Sequence, residues 1–167
     1  MSWARAAYRS RQFVTALRPR LAGEDRLFAA QHLSPSLQRL FFDMPLRDQR
    51  HSLDVARALL ADGGADEALL QAALLHDAGK GPLRLWHRVA FVMLQRLSPR
   101  LLAHLAPPGG GGWRAPFDRL LRHGELGAQL LEEAGASREA VRLVRYHEDG
   151  NAQDARVARL RAADDRC

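Results

Sequence analysis

Apolar residues recur at helical spacing along nearly the whole chain, and no segment alternates apolar and polar residues over the length of a strand. The pattern predicts helices over residues 3–17, 24–31, 35–43, 46–61, 66–77, 83–105 (broken near Ser98-Pro99), 116–134 (kinked near Gly124), 137–148 and 153–165. We therefore expect an all-α fold, built as a compact helical bundle.

The length of 167 residues suits one globular unit. Within it we expect residues 1–45 to form a basic N-terminal helical arm that packs on the domain formed by residues 46–167. The N-terminus lacks the apolar core of a secretory signal, and no stretch is apolar enough to span a membrane, so we expect a cytoplasmic protein. The single cysteine, Cys167, excludes a disulfide framework, and any metal site must use histidines and carboxylates.

The basic residues are concentrated in two stretches without any Asp or Glu. Residues 1–23 carry five arginines, and residues 78–117 carry five arginines and Lys80. Such surfaces attract nucleic acid, an anionic membrane or a phosphorylated small molecule, of which we favour the last as the partner. Lys80 is the only lysine among 25 basic residues, which suggests that this position requires a compact ammonium group.

Six titratable residues fall where the apolar stripe of a helix predicts a buried side chain. They are His51, His76, Asp77, His123, His147 and Asp164. Asp164 shares a helix face with Val157 and Leu160, whereas Asp165 is turned about 100° away from it.

Buried imidazoles and carboxylates from separate helices are costly unless they share a partner. One or two divalent metal ions would supply that partner, and a set of nitrogen and oxygen ligands without thiolate suits Mn, Fe, Zn or Mg. A single inward histidine is most often a hydrogen-bonded core residue, but chance rarely places six such residues inward. The sequence therefore predicts a metal centre.

The same residues carry a resemblance to a known family. The order His51, His76-Asp77, Asp164 is similar to the pattern that names the HD-domain superfamily, and the run His76–Lys80 (HDAGK) resembles its HDxGK signature. His123 and His147 match the extra histidines of its six-ligand, binuclear branches, such as the HD-GYP phosphodiesterases and the HD-type diiron oxygenases. The resemblance covers about residues 46–165. No GYP run follows His147, and a single histidine stands there where cyclic-dinucleotide enzymes often have two.

The resemblance implies a bundle of the HD-domain type and a metal-dependent phosphohydrolase. Its substrate would be a phosphate ester or anhydride of a nucleotide-like or cyclic dinucleotide-like class, attacked by a metal-activated water. Four residues would hold the first ion: His51, His76, Asp77 and Asp164. Asp77 would bridge to a second ion held by His123 and His147.

The resemblance also implies that Lys80 contacts the substrate phosphate, and Lys80 and Asp77 are the candidate catalytic residues. Arg84 and His87 join Lys80 as candidate substrate-binding residues, although His87 could instead simply pack in the core. We expect Trp86 and Phe91, on the same helix, to be core residues rather than a base-stacking platform.

Two other functions remain open at this stage. An HD-type diiron oxygenase would use the same six ligands. A non-catalytic scaffold, stabilised by its metal, would bind an anionic surface through the two basic stretches. The Gly- and Pro-rich segment 106–112 is expected to be a loop, for which the sequence leaves the role open and a hinge or a lid is one candidate.

Overall fold

The structure, a computed structural model, describes residues 21–150 and 153–167, and the helix expected over residues 3–17 lies outside these ranges. The α-helices are α1 (Gly23–His32), α2 (Pro35–Asp43), α3 (Leu46–Ala61), α4 (Glu67–Leu75), α5 (Leu85–Leu97), α6 (Pro99–Leu105), α7 (Ala115–Glu133), α8 (Arg138–Tyr146) and α9 (Ala155–Asp164). Single turns of 3₁₀-helix span Ala78–Lys80 and Gly112–Arg114. The described ranges contain no strand, which confirms the all-α prediction.

Side-chain caps set several helix boundaries. Ser34, Asp66, Ser137 and Asp154 each accept a hydrogen bond from a backbone N–H in the first turn of α2, α4, α8 and α9. The bounds of α2 and α3 are those predicted from the sequence.

Two predicted features differ in detail, and one is confirmed. The helix expected over residues 66–77 ends at Leu75, and a 3₁₀ turn follows after two residues. The break expected near Ser98 is present, since Ser98 has φ −153° and ψ 73° between α5 and α6. The kink in α7 lies at Arg122, two residues before the predicted position.

The main apolar core lies among α3, α4, α8 and α9, where Leu53, Leu74 and Leu143 are almost completely buried. Helices α1 and α2 add Ala29 and Phe41 to this core, so residues 21–44 pack on the rest of the domain. The division at residue 45 stays a prediction. A second, smaller core joins α5, α6 and α7.

Close packing of α7 depends on residues without a side chain. A Cβ added at Gly79 would lie 2.1 Å from the carbonyl oxygen of His123, and one at Gly124 would lie 3.0 Å from the carbonyl oxygen of Arg145. The 3₁₀ turn after α4 and the C-terminal turn of α8 can therefore both approach the backbone of α7. The packed face of α7 also includes Ala128 and Leu131, which are fully buried, whereas Leu126 and Leu130 are only partly buried.

Within the described residues, no helix is both long enough and apolar enough to cross a membrane.

Candidate metal centre

All six predicted ligands come together in one cluster. His51 lies on α3, His76 and Asp77 follow α4, His123 lies on α7, His147 follows α8, and Asp164 ends α9. Two groups among them bring one ligand atom of each member within 4.8 Å of the others. The first group is His51, His76 and Asp77, and the second is Asp77, His123 and His147. Asp77 thus belongs to both groups, which is the arrangement that a bridging carboxylate requires.

Three of the imidazoles are oriented by the same local hydrogen bond. The Nδ1–H of His76, His123 and His147 each donates to the carbonyl oxygen three residues earlier, at 2.9, 2.9 and 2.7 Å. This bond fixes the tautomer and leaves the Nε2 lone pair directed into the cluster. Metal-binding histidines are commonly held by a backbone carbonyl in this way.

The Nε2 atoms of His123 and His147 face each other at 3.1 Å. Burial lowers the pKa of His123 to about 4 and that of His147 to about 3, so both rings are neutral near pH 7. With Nδ1 protonated in both rings, two lone pairs point at each other inside the protein. A cation between or beside them would relieve this repulsion.

His76 is completely buried, and among the described residues its Nε2 atom has no hydrogen-bond partner. That atom lies 3.3 Å from Oδ1 of Asp77 and 3.5 Å from Oδ1 of Asp164. A buried polar atom without a partner is rare and costly. An imidazole nitrogen beside two carboxylates is, however, a suitable donor set for a divalent ion, so the residues fit the metal that the sequence predicts.

Asp77 is buried, and the ammonium of Lys80 lies 2.6 Å from its Oδ1 atom. Burial acts to raise the pKa of Asp77, but the neighbouring His76 ring and the Lys80 ammonium outweigh it and hold the pKa well below the usual range. Asp77 is therefore a carboxylate at neutral pH. Lys80 reaches the cluster without belonging to either ligand group, and its contact with substrate stays a prediction.

Asp164 is half-buried, and the Nε2–H of His51 donates to its Oδ1 atom at 2.6 Å. Burial acts to raise the pKa of Asp164, but its contacts with His51 and His76 outweigh that effect, and the net pKa lies well below the usual range. Asp165 is exposed, as the helical phase predicted. Asp154 caps α9 and pairs with Arg142.

The other predicted substrate-binding residues are Arg84, which precedes α5, and His87 on α5. The ring of His87 is buried and lies tilted against Trp86, with 3.8 Å between ring centroids, and its Nδ1 accepts the backbone N–H of Arg84 at 3.1 Å. These contacts favour a packing role for His87, and its contact with substrate stays a prediction, as does that of the exposed Arg84. Phe91 packs on the small core as expected, but Trp86 is 49% exposed, so its assignment to the core was wrong.

Two residues near the cluster were not found from the sequence. Arg119, on α7, donates from Nε to the carbonyl oxygen of Lys80 at 3.1 Å and from Nη2 to that of Pro82 at 3.2 Å, so it holds the segment that carries Lys80. Glu148 has an oxygen 3.6 Å from Nδ1 of His123. Neither lies on an apolar stripe, and only the proximity of Glu148 to His147 in sequence could have indicated it.

Comparison with models of protein families matches residues 49–166 to the family described as HD domain. That stretch contains all six residues of the cluster. The curated proteins and the solved structures give no match to this chain.

Proposed function

Since the chain belongs to the HD-domain family, we propose that it is a divalent-metal-dependent phosphohydrolase acting on a phosphate ester or anhydride. The substrate class that suits the proposal is a nucleotide or cyclic dinucleotide, or a phosphate ester of similar size. Membership in this family indicates a metal-dependent hydrolase in general. That the bond hydrolysed is a phosphate ester or anhydride is our proposal.

One observation carries the proposal. Three buried imidazoles, on His76, His123 and His147, each donate Nδ1–H to a backbone carbonyl and turn Nε2 toward the buried carboxylate of Asp77. A core built for packing alone would not direct three imidazole nitrogens at one buried carboxylate. Imidazole nitrogens and carboxylate oxygens are also the donors that divalent metal ions prefer, which supports a metal site here.

In this proposal His51, His76, Asp77 and Asp164 hold one ion, and Asp77, His123 and His147 hold a second. A divalent ion bound here would lower the pKa of a coordinated water toward about 7 and so provide hydroxide for attack on phosphorus. The carboxylates of Asp77 and Asp164, which remain charged at neutral pH, balance the charge of the ions.

Lys80 is proposed to bind a non-bridging oxygen of the phosphate. Its ammonium already lies at the edge of the cluster, 2.6 Å from Asp77, and its side chain is 18% exposed, so it can be reached by a substrate. A point charge of this kind stabilises the negative charge that develops on the phosphoryl oxygens. Arg119 positions Lys80 by fixing the carbonyl oxygens of the following turn.

The test is a screen of phosphoester and anhydride substrates with Mn, Fe, Mg and Zn, run beside elemental analysis of the purified protein. We expect metal-dependent release of phosphate or of a phosphomonoester, lost in Asp77→Asn. Stoichiometric, redox-active iron that consumes oxygen, without hydrolysis of any substrate, would favour the diiron oxygenase instead and contradict the proposal.

A further inference from the structure

Helix α5 presents a continuous apolar face to the outside of the protein. Leu85, Val89, Met93 and Leu97 follow one another at intervals of four residues, with Trp86 and Val92 on either side of the stripe. These six side chains are 49% to 75% exposed. We call these six residues the outer face of α5. The stripe from residue 85 to residue 97 is about 18 Å long, and exposed patches of this kind mark contact surfaces.

This face is a second apolar side of the same helix. The opposite side of α5 already packs in the small core, where Ala90, Phe91 and Leu94 lie against Leu102 and Phe117. A helix that is apolar on all sides is normally buried on all sides. The outer face of α5 is therefore a surface that lacks its expected partner within the described part of the chain.

The charge around this face is of one sign. The segment from residue 78 to residue 117 contains no Asp or Glu. Arg96 lies within the outer face by helical phase, and Arg84 and Arg100 stand just before and just after α5. Arg88 differs, because both of its contacts to the buried carboxylate of Asp48, at 2.6 and 2.8 Å, anchor α5 to α3. The partner of this surface must therefore be apolar and negatively charged at the same time.

Charge complementarity excludes two occupants from this chain. A second copy docked through the same face would bring two acid-free segments together, and their arginines would repel each other. Residues 1–23 carry five further arginines and no acid, so this segment is positively charged and would also be repelled by the arginines around the outer face of α5. A bilayer that contains anionic lipid offers negative headgroups above an apolar layer, which is the combination that this face requires.

We propose that the outer face of α5 binds the surface of an anionic lipid bilayer, with the helix lying parallel to the membrane plane. Its six apolar side chains enter the boundary between headgroups and acyl chains, while Arg84, Arg96 and Arg100 contact lipid phosphates. The indole of Trp86 suits this boundary because it joins an apolar ring system to a polar N–H group. Trp113, which is also exposed, extends the same segment. The proposal does not depend on which reaction the metal centre catalyses.

The test is flotation of the 167-residue chain with vesicles of phosphatidylcholine, either alone or mixed with phosphatidylglycerol. We expect binding to the mixed vesicles only, because each arginine near an anionic surface adds roughly a fivefold gain in binding. Leu85→Glu, at the first residue of α5, should reduce binding to the mixed vesicles about tenfold, as expected when an inserted leucine is lost. A glutamate is tolerated in the first turn of a helix, so this variant should fold.

The matched control is Leu27→Glu on α1. Leu27 is 65% exposed and Leu85 is 67% exposed, and both substitutions change the net charge equally. We expect Leu27→Glu to bind vesicles like the unmodified chain. Equal losses in the two variants, or binding that survives Leu85→Glu, would overturn the proposal.

Two further outcomes would also overturn it. If the unmodified protein ignores mixed vesicles but binds duplex DNA or RNA, the basic segment recognises nucleic acid instead. If it ignores vesicles but forms dimers that Leu85→Glu dissociates, the outer face of α5 is a contact between copies of this chain.

Discussion

The metal-centre cluster and the outer face of α5 depart in opposite ways from the usual separation of polar and apolar side chains. In the cluster, His76, Asp77 and His147 are polar residues inside the protein. On α5, six large apolar side chains lie outside. Glycines and backbone carbonyls hold the cluster in place, whereas the outer face of α5 touches the small core only through the edge contact of Trp86 with Phe117. The difference indicates that each region is incomplete without a different partner: a cation for the first, and an apolar, anionic surface for the second.

The largest effect on stability is expected from Gly79→Ala. The added Cβ would lie 2.1 Å from the carbonyl oxygen of His123, against backbone that cannot move without displacing α7. We expect a loss of about 3 kcal/mol or more in the free energy of unfolding, since overpacking of a rigid core is costly. Denaturant titration measures it. Gly23→Ala is the matched control, because no atom lies within 4 Å of its added Cβ, and equal stabilities of the two variants would show that the turn is not packed against α7.

The next largest effect distinguishes two neighbouring carboxylates. Asp164→Asn removes a charge that contacts His51 and His76, whereas Asp165 is exposed on the same helix end. We expect Asp164→Asn to weaken metal binding by about 100-fold and Asp165→Asn to leave it unchanged. Calorimetric titration of the metal-free protein with Mn²⁺ provides the measurement. Equal affinities in the two variants would exclude Asp164 from the site.

The sequence predicted the site better than it predicted the surface. Helical phase placed Asp164 inward and Asp165 outward because the period of 3.6 residues holds to the end of α9. It could not show that α4 ends at Leu75, since the turn that follows depends on the contact between Gly79 and α7. The sequence also led us to assign Trp86 to the core. In a helix with apolar residues on two sides, the pattern does not indicate which side faces the interior.

A smaller effect is expected at Lys80. Arginine keeps the charge at this position but replaces a compact ammonium with a wide planar group, beside a carboxylate oxygen 2.6 Å away. We expect Lys80→Arg to lower kcat/KM about tenfold on a confirmed phosphoester substrate, with metal content unchanged. Steady-state kinetics with elemental analysis tests this. Turnover equal to that of the unmodified enzyme would remove Lys80 from the substrate site.

The smallest effect is expected on the outer face of α5. Leu97 is 75% exposed and Leu102 is 3% exposed, although they lie only five residues apart. In the absence of membranes, Leu97→Gln should change the free energy of unfolding by no more than about 0.5 kcal/mol, whereas Leu102→Gln should cost about 2 kcal/mol or more. Thermal or denaturant unfolding compares them. A large loss in Leu97→Gln would mean that this face is packed within the protein.

The metal centre is tested most directly by the melting temperature of the purified protein before and after removal of its metal, with elemental analysis of both samples. Metal that binds the folded chain alone stabilises it by about 2.7 kcal/mol when present at 100 times its dissociation constant. For a domain of this size we expect removal to lower the melting temperature by roughly 5–10 °C, and added Mn²⁺ to restore it. An unchanged transition in protein shown to have lost its metal would contradict the claim that His51, His76, Asp77, His123, His147 and Asp164 form a metal centre.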